Sequence, residues 1–142
     1  MAVPIALAPP VSTFPLRIEC PPGACVCDRE RLLADPDADL RALRLTRAEE
    51  LRLIERIERV ASYAELLRVQ AMINAQLGVQ LRIAPGVNEV RTARGIVIAI
   101  DDQPGLCKKI RQSIPAAIRR ALDAQPQIVY DILDANDLFG SN

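Results

Sequence analysis

Apolar and polar positions alternate along this chain in several rhythms, and the changes of rhythm mark its elements. Phe14, Leu16 and Ile18 alternate with Pro15, Arg17 and Glu19, the period-two pattern of a half-buried strand. Pro21-Pro22-Gly23-Ala24 supplies a turn, with Pro22 presetting φ and Gly23 accepting a positive one, and residues 24–27 pair back as a second short strand. Asp28 N-caps a brief helix through Leu33 that Pro36 stops.

The middle of the chain switches to a helical period. Thr46-Arg47-Ala48-Glu49 and Ser62-Tyr63-Ala64-Glu65 both fit the capping box, in which a hydroxyl and a carboxylate satisfy the free amides of a helix start. Helices over residues 47–61 and 63–77 follow, either separate or joined as one kinked helix. Leu53, Ile54, Ile57 and Val60 form the apolar stripe of the first, and Leu66, Leu67, Ile73 and Leu77 that of the second, which Gly78 terminates. On the solvent face of the first, Glu55 pairs with Arg59 and Arg52 with Glu55.

Val79, Leu81 and Ile83 then alternate with Gln80 and Arg82 as a strand ended by Pro85-Gly86, and residues 87–93 form a weaker strand. Arg94-Gly95 turns the chain into residues 96–100, whose unbroken apolarity predicts a strand buried on both faces. Asp101-Asp102-Gln103-Pro104 reads as a helix start carrying Leu106, Ile110 and Ile114 on one face, with Pro115 as a kink or restart before Ile118 and Leu122. Pro126 opens a last helix with Ile128, Val129, Ile132 and Leu133 inward, and Gly140-Ser141-Asn142 is a frayed end. The expected fold is α+β: several helices on one side of a small, mainly antiparallel sheet, with a cysteine-bearing hairpin at its N-terminal edge. Residues 14–139 make a single domain and residues 1–13 a flexible arm.

Composition narrows this picture. In 142 residues, half of them apolar, one core can form without disulfides. Aromatic residues are only 3%, so that core is aliphatic and little is left for stacking on bases or sugars. The formal net charge of zero removes the general basic footprint of proteins that bind nucleic acid or anionic membrane, and neither is expected as a partner. Residues 1–15 lack a cationic start, and Pro4, Pro9 and Pro10 interrupt their apolarity, so they read as neither signal peptide nor membrane span, and the expected compartment is the cytoplasm.

Chemistry concentrates at the cysteines. Around a four-residue turn, Cys20 stands across from Cys25 and Ile18 across from Cys27, which puts three thiols on one face of the hairpin. With Cys107 or Asp28 as a fourth ligand, Cys20, Cys25 and Cys27 would hold Zn²⁺ or an iron centre in a chain that has no histidine. Their spacing matches neither zinc knuckles nor plant-type ferredoxins. Phe14, Leu16 and Ile18 share that face, so packing as small apolar residues, or a Cys20–Cys25 disulfide, accounts for the same pattern.

Cys107 falls at a helix start before Lys108 and Lys109, where helix amides and ammonium groups favour thiolate, but there is no histidine base to activate it. Asp101 and Asp102, at the end of the most apolar strand, are either Mg²⁺ ligands assisted by Glu89 or the acidic tail, or the cap of the next helix; the cap accounts for them with fewer assumptions. A basic block (Lys108, Lys109, Arg111, Arg119 and Arg120) faces an acidic one (Asp123, Asp131, Asp134 and Asp137), and the two are expected to neutralise each other. The absence of histidine removes the commonest general base and metal ligand. The sequence therefore points to a non-catalytic interaction or accessory domain, meeting a protein partner or a second copy through aliphatic helix faces. The alternative is a metal-binding (Zn or Fe) or thiol-redox protein using the cysteine cluster.

Overall fold

A computed structural model describes residues 16–17, 27–86, 93–101 and 104–136. The expected arm, most of the N-terminal hairpin with Cys20 and Cys25, residues 87–92 of the expected strand over 87–93, Asp102 and the C-terminal end fall outside the described residues. The described part mixes helix and strand: α1 (Arg29–Ala34), a 3-10 turn (Arg41–Arg44), α2 (Arg47–Glu58), α3 (Tyr63–Leu77), β1 (Leu81–Pro85), a 3-10 turn (Ala93–Gly95), β2 (Ile96–Ile100), α4 (Lys108–Ala124) and α5 (Pro126–Asn136).

Local chemistry explains the two central helices. The Thr46 and Ser62 hydroxyls accept the amides of Glu49 and Glu65, which starts α2 and α3 as separate helices. Gly78 ends α3 in the left-handed conformation at φ 71°, its N–H donating to the Asn74 carbonyl. The α2 stripe packs as expected, with Leu53, Ile57 and Val60 buried and Ile54 partly so. The α3 stripe differs by one residue. Val69 is buried and Leu67 is 45% exposed, because Leu66, Val69, Ile73 and Leu77 follow the three-four spacing of one helix face and Leu67 lies about 100° around from it. On α2 the Arg59–Glu55 pair forms at 4.0 Å, but Arg52 reaches back one turn to Glu49 instead of to Glu55.

β1 and β2 form a two-stranded antiparallel sheet with Leu81 opposite Ile100 and Pro85 opposite Ile96. Leu81 and Ile96 are buried, and Ile83, Ile98 and Ile100 pack on the core from the same face. The opposite face carries exposed Arg82 and Val97, the latter 52% exposed. The expectation that residues 96–100 are buried on both faces is therefore corrected. Period-two geometry turns Val97 and Ala99 away from the face on which Leu81, Ile83, Ile96, Ile98 and Ile100 meet the core.

The helix after β2 begins later than expected. Cys107 is the N-cap of α4, Leu106 is buried before it, and Pro115 lies inside one continuous helix whose buried face is Ile110, Ile114, Ala117, Ile118, Ala121 and Leu122. Pro126 occupies the first position of α5, where a missing N–H costs nothing. One core cluster collects residues from Cys27 through Ile132, and α4 packs against both α2 and α5.

Candidate functional site

The 3-10 turn Arg41–Arg44, which carries no strong periodic signal, lines one side of a groove among the described residues. Arg41 grips Asp39 through Nε and Nη2 at 2.9–3.2 Å and donates from Nη1 to the Ala75 carbonyl at 3.1 Å, placing a cation at the C-terminal end of α3. These side-chain bonds hold the Asp39 carboxyl below its ordinary value; partial burial opposes them, and the Arg41 backbone N–H adds to them. A Cβ on Gly78 would meet Arg41 Nη2 and Asp39 Oδ2 at 2.9 Å each, so glycine both ends the helix and makes room for this grip.

With the turn docked there, a groove of about 520 Å³ opens between it, α2 and the C-terminal half of α3. Leu45, Leu53, Ile73 and Leu77, all buried, and half-buried Met72 form its floor. Its rim carries Arg44, Arg52 and Arg56 with Glu49 and Gln76. Glu49 is ion-paired with Arg52, and Arg56 Nη1 lies 3.3 Å from the Met72 sulfur, a weak acceptor. Among the described lining residues, three arginines and one carboxylate stand over an aliphatic floor.

The residues singled out from sequence sit elsewhere. Cys27 and Cys107 are 2% and 3% exposed in the core cluster, and the Gly105 N–H donates to the Cys27 carbonyl at 2.7 Å, which brings their two segments together. Cys20 and Cys25 lie outside the described residues, so the geometry of the four-thiol set is not described. Asp101 is ion-paired with Arg82 at 2.6 Å and stands six residues before the α4 N-cap, which overturns its expected capping role; the helix starts at Cys107, after a turn centred on Gly105 at φ 97°. The basic and acidic blocks do not simply face one another. Arg120 pairs with Glu58 of α2 at 2.6 Å, and Arg119 donates to the Ile96 carbonyl at 3.3 Å.

The chain matches no family model, no curated protein and no solved structure.

Two residue sets escaped the sequence reading. Arg17 belonged to the polar half of a period-two strand, yet it is 8% exposed, with its guanidinium donating to the Gly105 carbonyl at 2.6 Å and the Leu45 carbonyl at 3.4 Å. Its backbone N–H bonds the Leu43 carbonyl at 2.7 Å, so this one residue ties three distant segments together. The groove arginines escaped because Arg52 and Arg56 look like an ordinary solvated helix face until the 3-10 turn packs beside them. Their spacing of four residues was the available signal. No helix of the described residues is long and apolar enough to cross a membrane.

Proposed function

We propose that this chain is a non-catalytic interaction module that receives a protein partner in the groove between α2 and α3. One observation supports this: an aliphatic floor of Leu45, Leu53, Met72, Ile73 and Leu77 lies under a rim of Arg44, Arg52 and Arg56. That combination suits recognition, with apolar area for affinity and charge for orientation. The described lining residues include no nucleophile, and the one carboxylate among them, Glu49, is engaged by Arg52. A photo-crosslinking residue at exposed Gln76, on the rim, should give a discrete higher-mass adduct in cells, whereas the same residue at exposed Gln127 on α5 should not. Equal adducts from both positions, or none from Gln76, would remove the proposal.

A second reading, a thiolate metal or redox centre at Cys20, Cys25, Cys27 and Cys107, draws on the backbone bond that brings the Cys27 and Cys107 segments together in the core. Under it, elemental mass spectrometry of the purified protein gives close to one equivalent of zinc or iron, lost in a Cys20→Ser/Cys25→Ser variant. Absence of metal would sink this reading, and a metal-free protein that the substitution destabilises would leave the cysteines as packing residues.

A further inference from the structure

We propose that β2 pairs edge to edge with β2 of a second copy of this chain, antiparallel and centred on Ile98, so that two sheets join as one of four strands. This surface shares none of the described residues that line the groove and stands independently of it.

Hydrogen-bond direction shows which edge is open. The Asp101 N–H donates to the Gln80 carbonyl at 3.1 Å and the Gly86 N–H to the Gly95 carbonyl at 2.8 Å, so the bonded pairs between them are Arg82 with Ala99 and Ala84 with Val97. The backbone groups of the intervening residues point away from the neighbouring strand: Leu81, Ile83 and Pro85 on β1, and Ile96, Ile98 and Ile100 on β2. The outer edge of β1 is blocked at both ends. The Gln70 side chain donates to the Leu81 carbonyl at 2.6 Å, and Pro85 has no N–H to offer. On β2 the Arg119 guanidinium reaches the Ile96 carbonyl at 3.3 Å, and among the described residues no hydrogen bond reaches the outward groups of Ile98 and Ile100. An edge strand without a charge or a proline is a template for another strand, and β2 reads Ile-Val-Ile-Ala-Ile.

That same pattern selects a second copy as the added strand. Reversed about Ile98, it sets Ile96 against Ile100 and Val97 against Ala99, so a two-fold axis opposes apolar side chains at every pair. Ile98 and Ile100 are only half-buried in the single chain and Val97 is 52% exposed, so each has surface left for the second copy to cover. A carbonyl has two lone pairs, so the Ile96 oxygen can keep Arg119 and also accept the N–H of Ile100 from the second copy. Because the outer edge of β1 is blocked, the pairing closes as a dimer and does not extend into a filament.

The test is sedimentation of the full chain from about 1 to about 500 µM, with amide hydrogen exchange read residue by residue. The expected result is a two-chain mass at the upper end, with the Ile98 and Ile100 amides at least about tenfold better protected in the dimer than in the monomer. Two variants, Val97→Glu/Ala99→Glu and Val97→Lys/Ala99→Lys, change only the outer face of the sheet and oppose like charges on both sides of the axis. Each alone should remain a monomer with the wild-type circular dichroism spectrum. Mixed in equal amounts they should form a heterodimer, because carboxylates then meet ammonium groups across the axis. A wild-type chain that stays monomeric, or a dimer whose Ile98 and Ile100 amides exchange freely, overturns the proposal. A monomer in which those amides are already protected overturns it too, by showing that the chain covers its own edge. A dimer that persists in both folded variants places the contact elsewhere and has the same consequence. Should either variant fail to fold, the wild-type mass and amides decide by themselves.

Discussion

Arg17 shows how far a single residue can depart from its local pattern. A guanidinium carries five donors and a long apolar stem, so it can be buried when carbonyl oxygens converge on it, and the Gly105 and Leu45 carbonyls do so here. Period-two alternation counts Arg17 as polar and assigns it to solvent, because the pattern holds no information about carbonyls that are distant in sequence. Arg17→Met keeps most of the stem and removes the donors. It should cost about 1–3 kcal/mol, read as a shift of the urea midpoint at constant slope, with Arg17→Lys intermediate. A fully stable Arg17→Met would mean that the two carbonyls are satisfied without it.

Among the elements, α2 and α3 were the most legible. Their caps are local, since each hydroxyl bonds an amide three residues on, and their cores repeat within single helices. Ser62→Ala should destabilise the protein by about 1 kcal/mol in denaturant unfolding, and Thr46→Ala by a similar amount. The 3-10 turn Arg41–Arg44 was not legible, because its anchor is the Ala75 carbonyl of α3. The Asp39–Arg41 grip that holds it has a pH signature of known sign. Asp39 is held below its ordinary 3.8 in the folded chain, so its contribution is fully present above that value and is lost as pH falls through the lower, folded one. Wild type should therefore exceed Asp39→Asn in stability near neutral pH, and the gap should close in acid. Thermal melts of both proteins across that range measure it, and a gap independent of pH would show that the carboxylate is not what matters.

At the scale of the molecule, one aliphatic cluster runs from Cys27 to Ile132 and joins α2, α3, α4, α5 and both strands. A shared core couples these elements, so urea unfolding followed by far-UV circular dichroism should coincide with unfolding followed by the fluorescence of Tyr63 on α3 and Tyr130 on α5. Separate transitions would show that the helices and the sheet unfold as independent units. The mixed helix-and-strand class, the α2 and α3 boundaries to within a few residues, the start of α5, the β2 span and the aliphatic character of the core were all determined by the sequence alone, because each depends on periodicity and caps acting over a few residues. The exposure of Val97 on β2, the late start of α4, the burial of Arg17 and the arginine-lined groove were decided only by tertiary structure. Each depends on which distant segment packs alongside: α4 and α5 against the strands, the Gly105 turn against Cys27, and the Arg41–Arg44 turn against α3. A local pattern records which side chains can be buried, and the packed chain decides which ones are.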